Sequence, residues 1–146
     1  MRAMPINYSP TDEKLEIISV TTTKKDGTVR RLYKTSEFNM ADESIRMYYD
    51  QRQLVIEVPD LAVGDRIEYQ FKRTQTQRSS SSVSYFSDVY QLQTWFNRQW
   101  SRYTIISPAD MPVQLLRHDP AGSRLIETAA TLENNQQIRQ FEEKNT

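Results

Sequence analysis

The stretch Gln53-Leu54-Val55-Ile56-Glu57-Val58-Pro59-Asp60-Leu61-Ala62-Val63-Gly64-Asp65-Arg66-Ile67-Glu68-Tyr69-Gln70-Phe71-Lys72 decides the fold class. In its first part Leu54, Ile56 and Val58 share one face at a period of two. In its last part Ile67, Tyr69 and Phe71 alternate with Glu68, Gln70 and Lys72. Period two is the period of a β-strand, and alternation of apolar with polar side chains marks a sheet with one covered and one wet face. Pro59 has no backbone N–H to give a ladder and ends the first strand, while Gly64 permits a chain reversal at positive φ. The run is expected to form an antiparallel hairpin with residues 59–65 as its connection, Asp60 and Asp65 capping backbone N–H groups around Gly64.

Working upstream, Lys25-Asp26-Gly27-Thr28 carries the strongest turn signal in the chain. An Asp-Gly pair between β-branched segments favours a two-residue type I′ loop, whose twist matches that of its strands. Asp26 and Gly27 as that loop set Val20 opposite Tyr33 and Thr21 opposite Leu32, making one hairpin of Lys14 to Lys24 and Thr28 to Thr35. Downstream, the Ser- and Gln-rich residues 74–84 have little to bury and are expected to be a mobile loop between strands. The segment after it admits two readings. Val89, Leu92, Phe96, Trp100 and Tyr103 suit one face of an amphipathic helix, yet Trp100 to Ile105 also alternates at period two and Pro108 closes it. Asn134-Asn135 could turn a last hairpin joining Leu125 to Glu133 with Gln136 to Glu143, although a polar helix has a similar pattern.

The chain has 146 residues, the length of one domain, and is expected to form a single antiparallel β-sandwich over 1–146. Nineteen Lys and Arg balance nineteen Asp and Glu, which removes the simplest electrostatic case for a nucleic-acid or anionic-membrane partner. With no Cys there is no disulfide, no thiolate nucleophile and no sulfur-ligated zinc. A single histidine, His118, cannot build a His-rich metal site, and no cofactor or metal is expected. Met1-Arg2-Ala3-Met4-Pro5 leads directly into polar sequence without the apolar region of a signal peptide, and no apolar run is long enough to span a membrane. As written, the chain is expected to be soluble.

Several of these marks recur together. Ile6-Asn7-Tyr8-Ser9-Pro10, Leu15-Glu16-Ile17, Asp26-Gly27, Tyr49-Asp50-Gln51-Arg52-Gln53, Val58-Pro59-Asp60-Leu61 and Val63-Gly64-Asp65-Arg66-Ile67-Glu68-Tyr69 follow one another in order. The series resembles the uncharacterised β-rich domain found immediately before transglutaminase-like domains in large bacterial proteins, well from Ile6 to Phe71 and more thinly from Phe86 to Asn145. The resemblance implies an antiparallel β-sandwich, a periplasmic or cell-envelope parent protein, and a protease-like or amidase-like partner domain downstream in the same chain. It also implies strand rather than helix for Gln91 to Ser107 and Gln136 to Glu143. Domains of that family usually have further strands before the position of Ile6. The resemblance therefore implies an incomplete sheet whose open edge can pair with another copy.

Transglutaminase-like chemistry uses a Cys nucleophile and a His base. This chain has no Cys, and His118 sits between Arg117 and Asp119-Pro120 as a surface-turn histidine would, with no Gly-x-Ser-x-Gly nucleophile motif anywhere. No catalytic residue is expected. The acidic pairs Asp42/Glu43, Asp60/Asp65 and Glu142/Glu143 lack calcium-loop spacing, and Asp26, Gly27, Pro59, Asp60, Gly64 and Asp65 are assigned to turns. In Tyr48-Tyr49-Asp50-Gln51-Arg52, Arg52 beside Tyr49 could clamp a carboxylate on a ligand or partner; the plainer expectation is an ion pair with Asp50 or a neighbouring strand. Seven of the fifteen aromatics fall between Tyr85 and Tyr103. Trp95, Phe96, Trp100 and Tyr103 could form core, a docking face or a peptide- or glycan-binding platform. Arg98 and Arg102 interleave with them as in single-strand nucleic-acid binders, but the zero net charge argues against that partner. The expected function is a non-catalytic module that packs beside or positions the transglutaminase-like domain. The alternative is a sandwich that binds peptide or glycan through these aromatics.

Overall fold

The computed structural model describes residues 2–40, 50–76, 88–90, 98–111, 113–118 and 125–144. Their regular structure is all strand: β1 Arg2–Tyr8, β2 Glu13–Thr23, β3 Val29–Arg30, β4 Lys34–Asn39, β5 Arg52–Val58, β6 Arg66–Gln75, β7 Trp100–Pro108, β8 Ile126–Glu133 and β9 Gln136–Lys144. All pairings are antiparallel, in three sheets of order β1-β5-β4, β3-β2-β6 and β7-β9-β8. The chain divides into two compact units, Met1–Tyr85 with the first two sheets and Phe86–Thr146 with the third.

The first unit is the sandwich. β5 lies between β1 and β4, and its alternate residues Ile56 and Val58 are fully buried. They pack with Ile6 of β1 and Val20 of β2, and Met4, Leu15, Ile17, Leu61 and Ile67 surround that cluster. Two sheets thus share one small core. In β2 the inward side chains change phase from Leu15 and Ile17 to Val20 and Thr22, which a regular strand cannot accommodate. A bulge at Ile18 absorbs the extra residue: Ile17 faces Phe71, Ser19 faces Gln70, and Ile18 turns outward, 63% exposed. Without the bulge, Val20 would point to solvent.

Both hairpins expected in this unit are corrected. β5 and β6 do not pair. β5 belongs to the first sheet and β6 runs along β2 in the second, so residues 59–65 arch from one layer to the other. Alternating strands say which faces are apolar but not which strand lies alongside, and β6 finds in β2 a partner along its whole ten-residue length. At Lys25-Asp26-Gly27 the loop has three residues rather than two. Lys24 N–H donates to the Thr28 carbonyl at 2.8 Å, Gly27 N–H donates to the Lys24 carbonyl at 2.9 Å, and of the Asp-Gly pair only Gly27 has positive φ. This is a turn closed by a glycine bulge, not type I′, and it shifts the register so that Thr22 faces Arg30. Val20 pairs instead with Tyr69 and Thr21 with Glu68. The expected strand 28–35 is split: Val29–Arg30 stay beside β2, and from Lys34 the chain has crossed to β5.

In the second unit β9 lies between β7 and β8. Trp100–Pro108 is strand, so the helical reading of residues up to Tyr103 is wrong where they are described. Asn134 and Asn135, at φ 50° and 61°, form a two-residue turn with Glu133 opposite Gln136, the type I′ geometry that the Asp-Gly pair does not adopt. β6 extends through Gln75, two residues into the stretch assigned to a loop, and residues 77–84 of that loop lie outside the described residues.

Candidate functional site

Strand pairing gathers the turn residues at one end of the sandwich. Thr23 of β2 lies opposite Arg66 of β6, so the residues flanking them, Lys24 and Asp65, meet. Lys24 Nζ donates to Asp65 Oδ2 at 2.7 Å and also to the Asp60 carbonyl. Asp65 accepts from the backbone N–H groups of Ala62 at 2.9 Å and Lys25 at 3.2 Å. Its side chain is 3% exposed, so these donors replace its water. The Lys24 ammonium first, then the Ala62 N–H, hold its carboxyl below the usual aspartate range. Within the same arch Asp60 adopts φ 55° directly after Pro59, and Gly64 adopts φ 98°. A Cβ on Gly64 would come no closer than 3.4 Å to Lys25, so the demand for glycine there comes from the backbone rather than from space. In the neighbouring loop Asp26 Oδ1 accepts the Thr28 N–H at 2.8 Å, which lowers its pKa.

The opposite end carries Arg52. Tyr8 and Asn39 flank it on β1 and β4, and Glu37 accepts from Tyr8 Oη at 2.8 Å and from an Arg52 terminal nitrogen at 2.6 Å. Asp50 stands 3.6 Å from Arg52 Nε and accepts from Thr11 Oγ1 at 2.9 Å. Arg52, then Tyr8, lower the Glu37 pKa, while burial and then Glu37 raise that of Tyr8. Two carboxylates of its own chain engage the guanidinium. Tyr49, its expected companion, lies outside the described residues, as do Asp42 and Glu43.

In the second unit the pleat separates the expected aromatic site. Trp100 and Tyr103 are three residues apart on β7 and project from opposite faces. Trp95 and Phe96 lie outside the described residues. On one face Trp100 is 49% exposed, with the Arg102 guanidinium 4.6 Å from its ring centroid. Arg102 Nε in turn donates to Glu142 Oε1 at 2.6 Å, and Gln140 donates to the same oxygen at 2.9 Å. Glu142 is consequently held below the usual glutamate range, by Arg102 above all. Exposed Ile106 and Ile126 share this face, and Glu143 points to the other.

That other face is covered. Ser101 and Ser107 are buried, and Tyr103 stacks on Tyr90 at 4.5 Å between ring centroids. Tyr103 Oη donates to Asp88 Oδ2 at 2.7 Å. Burial first, and the Asp88 carboxylate second, push the phenol up to about 12. In a spectrophotometric titration Tyr103 is expected to ionise at about 12, and Tyr103→Phe is expected to delete that step. Because the folded-state value is raised, Tyr103 stabilises fully below about pH 10 and loses its contribution as pH rises towards 12. A titration unchanged by Tyr103→Phe would contradict the assignment.

Lys24, Glu37 and Tyr8 were not singled out by the sequence. Lys24 becomes visible only once β2 and β6 are known to pair, since their register places it beside Asp65. Glu37 needs the crossing of β4 to β5, which no local signal announces. His118 is exposed in irregular chain, and among the described residues no group of three or more His, Asp or Glu could hold a metal ion. No helix among them is long and apolar enough to cross a membrane.

Three antiparallel sheets, two of them closed on a shared core, define an all-β protein of sandwich type. The chain belongs to DUF3857, a domain family of unknown function with a solved structure, whose match covers residues 1–146. Comparison with curated proteins and with solved structures finds no significant match.

Proposed function

We propose that the chain is a non-catalytic interaction module that docks on an adjoining transglutaminase-like domain of a bacterial periplasmic or cell-envelope protein. The sequence series from Ile6 to Tyr69 supports the neighbour. The Trp100–Arg102–Glu142 group carries the docking role: a half-exposed Trp ordered by a stacked Arg, itself fixed by a carboxylate, has little rotamer freedom left to lose when a partner covers it. Trp and Arg are also the side chains that dominate interface energetics. The stacked guanidinium occupies a ring face that a sugar would need, so this geometry favours a protein partner over the glycan platform.

The test expresses this chain and the catalytic domain of the same parent as separate polypeptides and measures association by calorimetry. Trp100→Ala is expected to weaken binding by about thirtyfold, the equivalent of about 2 kcal/mol for an interface anchor. An adjoining domain without a Cys–His pair, an absence of binding, or binding indifferent to Trp100 would overturn the proposal.

A further inference from the structure

We propose that β6 is a self-pairing edge, joining antiparallel to β6 of a second copy about a two-fold axis through Gln70. This inference is independent of the catalytic neighbour. Among the described residues β6 pairs only with β2, which leaves its other side open over ten residues, the longest edge strand of the three sheets. Of the other edge strands, β1 carries Pro5, β3 has two residues, β4 has six, β7 ends on Pro108, and β8 is bulged between Thr128 and Thr131. β6 contains no proline and no bulge. Its inward-side residues Tyr69 and Phe71 remain 42% and 40% exposed and stack on each other.

The sequence of β6 is self-complementary in one register. In a symmetric antiparallel pair whose sheets keep the same face up, residue and partner must have the same parity. Centring on Gln70 sets Glu68 opposite Lys72 of the other copy and Tyr69 opposite Phe71, each contact made twice by symmetry. Centring on Glu68 or Lys72 sets like charges face to face, and centring on Tyr69 opposes Arg66 with Lys72. Centring on Phe71 leaves Glu68 without a basic partner.

The chosen register also extends the rows already present. Ile17 faces Phe71 and Val20 faces Tyr69 within one copy, so each pairing completes an apolar row of four strands, Ile17–Phe71 against Tyr69–Val20. On the outer side Glu16 faces Lys72, so Lys72 stands between Glu16 and the second copy's Glu68. Glu68 is available for this, since its contact with Arg66 at 3.8 Å is loose and exposed. The product is one six-stranded sheet.

Sedimentation velocity over a range of concentrations tests the pairing. The wild-type chain is expected to show a concentration-dependent dimer. Glu68→Lys and Lys72→Glu, each of which sets like charges opposite, are expected to weaken it by about tenfold or more. An equimolar mixture of the two variants is expected to restore the dimer, because Lys at 68 of one copy then meets Glu at 72 of the other, and this rescue also shows that both variants fold. A wild-type chain that stays monomeric at every concentration, a dimer unaffected by either substitution, or a mixture no larger than its components would overturn the proposal.

Discussion

Replacing Ile56 by alanine is expected to lower the stability of the first unit by about 2–5 kcal/mol, the cost of deleting a fully buried aliphatic chain and leaving a cavity behind. Ile56 has no exposed surface and sits on the central strand β5, opposite Met4 of β1 and Thr35 of β4. Among the described residues the buried hydrophobic cluster has three other members, Ile6, Val20 and Val58. Neighbours anchored on both layers cannot close the gap without drawing the sheets together. Against a typical total of about 5–15 kcal/mol, this loss puts folding itself at risk. Urea denaturation followed by circular dichroism should show a lower midpoint with an unchanged slope. Val63→Ala, at a fully exposed position in the arch, is the control and is expected to change stability by no more than about 0.5 kcal/mol. Equal effects of the two substitutions would contradict the assignment of the core.

What the sequence made legible here is periodicity. Leu54, Ile56 and Val58 announced a strand and its covered face, and two of the three are buried. Trp100 to Pro108 and Gln136 to Lys144 are strands with Asn134-Asn135 as a tight turn beside β9. Asn134-Asn135 does join β8 to β9, but partner choice in the first unit was not legible. Hairpin rules assign each strand to its sequence neighbour, whereas β5 and β6 go to different sheets and the chain leaves β2 after Arg30. These choices depend on burying both layers at once, which is a property of the whole chain rather than of any window in it. Ile17-Ile18 breaks the alternation of β2, and the bulge restores it.

The same distinction governs the sites. Pro59, Asp60, Gly64 and Asp65 are recognisable as turn residues because their backbone demands are local, and two of them adopt positive φ. The cation that neutralises Asp65 is forty-one residues away and could not be found from that stretch. The aromatic enrichment between Tyr85 and Tyr103 was read as one site, but the alternation that makes β7 a strand puts Trp100 and Tyr103 on opposite faces. Applying period two to candidate ligands as strictly as to candidate core would have separated them at the start.

Removing Lys24 is expected to destabilise the first unit more than neutralising Asp65, and removing both less than the sum. Lys24→Met strands a carboxylate that is 3% exposed with only two backbone N–H groups for company, whereas Asp65→Asn leaves an ammonium that is 17% exposed, bonded to the Asp60 carbonyl and able to reach water. Both single variants should melt several degrees below wild type, Lys24→Met the lower. The double variant Lys24→Met/Asp65→Asn should recover part of that loss because no buried charge remains unpaired. Acid provides the second axis. The folded-state pKa of Asp65 is depressed, so its contribution is fully present above the ordinary aspartate value near about 4 and is lost as pH falls through the depressed value. The gap in melting temperature between wild type and Asp65→Asn should therefore narrow below about pH 4. Glu16, Asp26, Glu37 and Glu142 are lowered as well and weaken both proteins alike, so only the difference between the two curves reports on Asp65. In Lys24→Met the main cause of the depression is gone, and acid destabilisation should begin at higher pH than in wild type. Parallel curves for wild type and Asp65→Asn across that range would show that the Lys24–Asp65 contact does not hold the arch, and that Gly64 and the backbone bonds around it set its shape alone.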